Sequence, residues 1–236
     1  MKQTSRRYAL AGFCVLSFLL AQTFQEFADW LWIPKPNSPQ DELLVYLLRA
    51  DQVRALLVMG TLLLLIMPYV VIALRYWKVS PLASALALIF GAAFVGFEIS
   101  ARSVDFFVVG QRWAHQLASA ATSADRDAIL QKFAMWNDMM LGWTFPLRLS
   151  AFLASCAFAV ATSNETGGWR KLALIAFVLN AIRLLGRLLS TFAGQHWLDS
   201  FNDSLYFPVV FVINSMLVLW FFLMARSAAG EPSTAC

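Results

Sequence analysis

From Ala55 to Leu74 the chain carries no charged residue, and Arg54 and Arg75 bracket the run. At about 1.5 Å of helical rise per residue, such a run reaches about 30 Å, the thickness of the hydrocarbon core of a bilayer. In lipid it must be a helix, because only then does the segment satisfy its own backbone hydrogen bonds. The pattern recurs. Apolar runs predict spans over about 8–32, 55–76, 81–110, 133–162, 169–193 and 205–225. Six spans and their connections use up the 236 residues, which reads as a single integral membrane domain, an all-α polytopic helical bundle. Hydrophobic residues make up 60% and charged residues 14%. Soluble domains hold about 45–50% and about 25%, so both measures point to the bilayer as the principal partner. The net charge is +4, but Lys and Arg come in ones and twos rather than as a patch, and no nucleic-acid partner is expected.

The connections carry their own signals. Lys2, Arg6 and Arg7 precede the apolar run Tyr8–Ala21, in the manner of a signal peptide. No small-x-small site follows; Gln22, Gln25, Glu26 and Asp29 do, so the segment reads as an uncleaved anchor. Pro34 and Pro36 stop the first helix. Asp41 to Asp51 places Leu43, Leu44, Leu47 and Leu48 on one side and reads as a short amphipathic helix along the membrane surface. Pro68 predicts a kink in span two, and Gly142 with Pro146 predicts a break in span four. Ala83, Ala87 and Gly91 form a ladder of small residues that admits a close neighbour. Residues 111–132 read as a polar interval, with Thr122 and Ser123 as candidate N-caps of a helix starting near Ala124, and residues 227–236 as a disordered tail. The distribution of Lys and Arg puts both termini on the cytoplasmic side of the cell (plasma or inner) membrane.

Charges inside the spans are the informative exception. Glu98, Arg102 and Asp105 follow i, i+4, i+7 spacing and share a helical stripe. Arg183 and Arg187 share a face with Asn180 and Thr191; Asp138 and Arg148 lie in span four; Glu26 and Asp29 lie late in span one. With that topology all of them fall in the outer half, Arg148 nearest the middle. One ionised side chain at the bilayer centre costs about 2.5–3.5 kcal/mol on insertion scales, which makes chance retention of Arg148, Arg183 and Arg187 a poor account. The plainer reading is an ion network that sets which helices are neighbours. The sharper one is a polar cavity for a ligand or for protons. Glu26, Asp29 and Asp138 also suit snorkelling to the interface.

Recognisable catalytic chemistry is missing from the sequence. His115 and His196 both fall in connections, and His196 with Asp199 and Asp203 reads first as a solvated loop cluster rather than a metal site. No catalytic or phosphate-binding motif occurs, and nothing flanking Asp105 and Asp138 supports an acid–base pair. Cys14, Cys156 and Cys236 do not form a disulfide framework. No cofactor, metal or catalytic residue is expected. The expectation is a non-enzymatic multi-pass protein whose charged cluster binds a polar, anionic or amphipathic small molecule or another membrane subunit. The alternatives are a small proton- or ion-coupled transporter and a membrane-embedded lipid-modifying enzyme.

Overall fold

The computed structural model describes residues 2–230, apart from the side chains of Lys2, Phe201 and Asn202. The helices are α1 (Lys2–Leu31), α2 (Pro39–Val45), α3 (Arg49–Leu64), α4 (Ile66–Tyr76), α5 (Pro81–Val104), α6 (His115–Ser119), α7 (Ser123–Thr162), α8 (Leu172–Phe192) and α9 (Asp199–Gly230). A π-helical segment, Asp105–Ala114, joins α5 to α6. Among the described residues, six helical stretches are long and apolar enough to cross a membrane: Gln3–Leu31, Arg49–Tyr76, Pro81–Ser119, Ser123–Thr162, Gly168–Phe192 and Asp203–Gly230. The fold is that of a multi-pass membrane protein, with α2 between the first two spans.

The six spans close a ring. α1 packs on α9, α9 on α8, α8 on α7, α7 on α5, and α5 on α3 and α4, which return to α1. Outward faces carry exposed Leu20, Leu63, Ile89, Ile182 and Leu219, the surface that lipid covers. The two ends of the ring differ. At the end holding residues 2 and 230, Tyr8, Ile72, Phe158, Phe177, Trp220 and Phe221 belong to one buried apolar cluster. Phe158 stacks on Phe177 at 4.8 Å and meets Tyr69 at 5.2 Å, so three spans interlock. The small-residue ladder is what lets them in. Ala87 is fully buried, and a Cβ on Gly91 would lie 2.8 Å from Cδ2 of Tyr69, where only glycine leaves room. We call this the termini end, and the other the far end.

Span two bends where Pro68 dictates. Proline has no N–H for the carbonyl of Leu64, so α3 stops at Leu64 and α4 resumes at Ile66. Below the break α4 reaches α7 as well as α5. The predicted break in span four is not there: α7 runs unbroken from Ser123 to Thr162 with Pro146 inside it. Pro146 leaves the Gly142 carbonyl without its helical donor, and the packing of α7 against α5 and α8 carries the helix through that gap. The nearby hydroxyls bond other carbonyls, Thr144 Oγ1 that of Leu141 at 2.7 Å and Ser150 Oγ that of Pro146 at 2.6 Å.

The far end departs further from expectation. α7 starts at Ser123, next to the expected position, and Thr122 caps it by accepting from the Asp125 N–H at 3.1 Å, but residues 111–119 are helical too. The reason is apolar residues hidden in a polar stretch. Leu117, Ile129 and Phe133 bury against Val109 and Ala114. α2 does not lie free along a membrane surface, because Leu43 is wholly buried in that same cluster. At the other extreme, Ser227–Gly230 continue α9, and the rest of the predicted tail, 231–236, lies outside the described residues.

Candidate functional site

Inside the ring, spans that touch at the termini end draw apart and enclose a cavity of about 530 Å³ lined by all six. Its floor is apolar: Ile72, Phe158, Phe177, Leu217 and Phe221. Towards the far end its walls turn polar. Gln22 and Gln25 come from α1, Asn180 from α8, and Tyr206 and Asn214 from α9. The switch follows helical periodicity, since Phe177, Asn180 and Arg183 are successive inward positions of α8, as are Leu217, Asn214 and Val210 of α9.

Six of the nine residues singled out from the sequence line this cavity: Glu98, Arg102, Asp105, Arg148, Arg183 and Arg187. The other three do not. Asp29 pairs with Arg54, Glu26 is half-exposed beside it on α1, and Asp138 is exposed on α7.

Within the cavity the charges are unevenly paired. Glu98 accepts from Arg102 Nε at 3.0 Å, the i, i+4 pair of the stripe. Asp105 accepts from the indole Nε1 of Trp136 at 2.8 Å. Arg187 pairs with Asp203 at 2.9 Å. Arg148 and Arg183 have only neutral partners: Arg148 donates to Thr191, and Arg183 donates to Asn180 Oδ1 through Nε at 3.2 Å and Nη2 at 3.0 Å. Among the described residues neither has a carboxylate within salt-bridge distance. Asn180 is itself held, its Nδ2 donating to Ser155 Oγ at 2.8 Å. The Tyr206 ring lies under both Arg183 (5.6 Å) and Arg187 (5.3 Å). Arg148, Arg183 and Arg187 repel one another across the space. Four guanidiniums thus face Glu98, Asp105 and the Asp203 that pairs with Arg187, and the surplus is positive. Arg183 keeps three of its five N–H groups free of Asn180.

Two further charge clusters escaped the sequence reading. Arg54 bridges Asp29 of α1 and Asp51 of α3, and Asp51 is almost fully buried. Its i, i+3 spacing to Arg54 was the available signal. A second, small cavity of about 40 Å³ lies between this triad and the first, and Gln25, Val58, Arg102 and Asp105 border both. At the termini end, Arg75 reaches Glu165, ninety positions away, at 2.5 Å through Nη2 and 3.1 Å through Nε. The Tyr76 hydroxyl donates to the same carboxylate oxygen at 2.9 Å, and Arg75 Nη1 donates to the Tyr8 hydroxyl at 3.2 Å. Burial works to raise the Glu165 pKa, but these donors and the Arg75 charge outweigh it and hold the carboxyl below its ordinary value. No local pattern announces a pair so distant in sequence.

The histidines stand apart from the cavity. His196 Nδ1 lies 3.2 Å from Asp199, and Asp203 turns instead to Arg187. His115 is exposed on α6. Hydrogen bonds from Ser190 and then His196 hold Asp199 below the usual carboxylate range. Among the described residues no three His, Cys, Asp or Glu side chains gather as a metal site would require. No protein-family model matches the chain, and no curated protein and no solved structure matches it either.

Proposed function

We propose that this chain is a non-enzymatic membrane protein that binds an amphipathic small molecule in the cavity at the centre of its ring. One observation carries the reading: Arg148 and Arg183 face that cavity with neutral partners only. A membrane-embedded guanidinium costs about 2.5–3.5 kcal/mol, and a purely structural network would cancel that cost internally with carboxylates. Here Arg102 and Arg187 are cancelled in that way and the other two are not. At about 530 Å³ the space falls within the range of roughly 300–1,000 Å³ typical of small-molecule sites. The same reading puts both termini in the cytoplasm of a cell-membrane protein, since Arg6, Arg7, Arg75, Lys78, Arg170, Lys171 and Arg226 gather at the termini end.

The test is a thermal-shift survey of purified protein in a neutral maltoside detergent against single-chain and steroid-like amphiphiles. A ligand at a hundred times its Kd adds about 2.7 kcal/mol to wild-type stability. Ala151→Phe, which fills the cavity wall, should abolish the shift. If no amphiphile shifts wild type, or the variant responds equally, the reading is wrong.

A second reading, proton- or ion-coupled transport, is favoured by Asp105. It borders both cavities and opens the π-helical segment, a distortion frequent at functional sites. Proteoliposomes with an imposed pH gradient would acidify faster with wild type than with Asp105→Asn. Equal rates would remove this reading.

A further inference from the structure

We propose that the ligand is a lipid anion with a single acyl chain, its head between Arg148 and Arg183 and its chain on the Phe158–Phe177–Phe221 floor; this rests on the cavity being a binding site. Three features of the cavity each narrow the chemistry.

The first is charge. Two guanidiniums from adjacent spans lack an anion, and each is oriented by a fixed neutral group that leaves donors pointing into the space. Thr191 steers Arg148, while Asn180 and the Tyr206 ring steer Arg183. That arrangement suits a carboxylate or phosphate oxygen cluster, which takes several N–H groups at once. A neutral head would leave both charges as they are.

The second is polarity along the cavity. Its apolar part is a blind end, closed by the contacts of Phe158 with Tyr69 and Phe177. A small soluble anion would leave that floor uncovered. A chain seated there gains about fourfold in affinity per methylene, equivalent to about 0.8 kcal/mol.

The third is size. With water's share of liquid volume, about 30 Å³, as the gauge, 530 Å³ holds about eighteen non-hydrogen atoms. That is about the size of one hexadecanoate and far below a two-chain phospholipid. Such a molecule partitions into the bilayer around the ring and is available there.

The experiment is equilibrium binding of radiolabelled hexadecanoate to the full-length protein, delipidated in maltoside. Decanoate, dodecanoate, hexadecanamide, hexadecyl phosphate and inorganic phosphate serve as competitors. Referred to free aqueous ligand, hexadecanoate should bind at least tenfold more tightly than hexadecanamide, a neutral molecule of the same size, and lose about fourfold per methylene removed, and inorganic phosphate should not compete. Whichever of hexadecanoate and hexadecyl phosphate competes more strongly identifies the head as carboxylate or phosphate. Arg148→Gln and Arg183→Gln should each weaken hexadecanoate at least tenfold and leave hexadecanamide unchanged, whereas Arg183→Lys, which keeps the charge and loses the fork, should fall between wild type and Arg183→Gln.

Hexadecanamide binding as tightly as hexadecanoate to wild type would overturn the proposal without any variant having to fold. If Ala151→Phe abolishes both, the cavity still binds amphiphiles and only the anionic assignment falls. If Ala151→Phe abolishes neither, the cavity reading falls with it.

Discussion

The termini end and the far end of the ring are built from the same six spans and solve opposite problems. At the termini end the inward residues are large and apolar or small enough to admit them, and the ion pair of Arg75 with Glu165 is complete. Glu165 receives Arg75 and Tyr76 together, and its side chain is only 10% accessible. At the far end the inward residues are polar, the spans stand apart, and Arg102, paired as it is, keeps 37% of its side-chain surface accessible. A residue buried in a packed core is there to close the bundle. Charged residues lining a cavity do little to close it, and two of them are left without counter-charges. On the proposed reading, that difference is what separates a structural charge from a ligand-binding one.

That contrast can be broken by substitution, and the largest effect belongs to the packed end. Phe158→Ala removes a ring held by Tyr69 and Phe177 and should cost about 3–5 kcal/mol in detergent unfolding. Leu147→Ala, half-buried on the cavity wall, should cost clearly less. If the two cost the same, the ends do not differ in packing.

Next comes the closing ion pair. Glu165→Gln should cost about 1.5–3 kcal/mol, the range for hydrogen bonds to a charged group. Its pH dependence has a definite sign. The folded-state pKa is depressed, so the stabilisation is fully present above the ordinary value of 4.5 and is lost as pH falls through the depressed value. Wild type minus Glu165→Gln stability, followed from pH 7 to pH 3, should shrink only below about 4.5. A difference that grows on acidification contradicts the pairing.

Gly91→Ala tests the close approach that closes the termini end. The new Cβ meets the Tyr69 ring, and overpacking of this kind costs roughly 1–3 kcal/mol. Tyr69→Leu, which vacates the space, should relieve most of that cost in the double variant. Additive losses would show that the two residues do not meet.

Much of this fold was legible because a bilayer permits so few alternatives. Apolar runs marked the six spans, and Pro68 marked the interruption in the second. Pro146 misled because the packing of α7 on both sides is a tertiary fact that no local pattern carries. Residues 111–119 misled because their polar side chains outnumber the two, Ala114 and Leu117, that bury against α2 and α7. For the site, the stripe spacing brought out six lining residues, since an expensive charge at depth has few places to point. Asp29, Glu26 and Asp138, nearer the ends of their spans, had cheaper solutions and took them. Arg75 and Glu165 were illegible as a pair because they are ninety residues apart and their meeting depends on the closed ring.

The smallest expected effect is also the most telling. Arg183→Gln and Arg75→Gln each remove one guanidinium, one from the hollow end and one from the packed end. In ligand-free protein, delipidated in maltoside at pH 7, Arg75→Gln should lower unfolding stability by about 1.5–3 kcal/mol. Arg183→Gln should leave it within about 0.5 kcal/mol of wild type or raise it, because until an anion arrives the burial of this charge and its repulsion by Arg148 and Arg187 offset its bonds to Asn180 and its place on the Tyr206 ring. If Arg183→Gln falls as far as Arg75→Gln, the far-end arginines hold the bundle together and the cavity is not a binding site built around them.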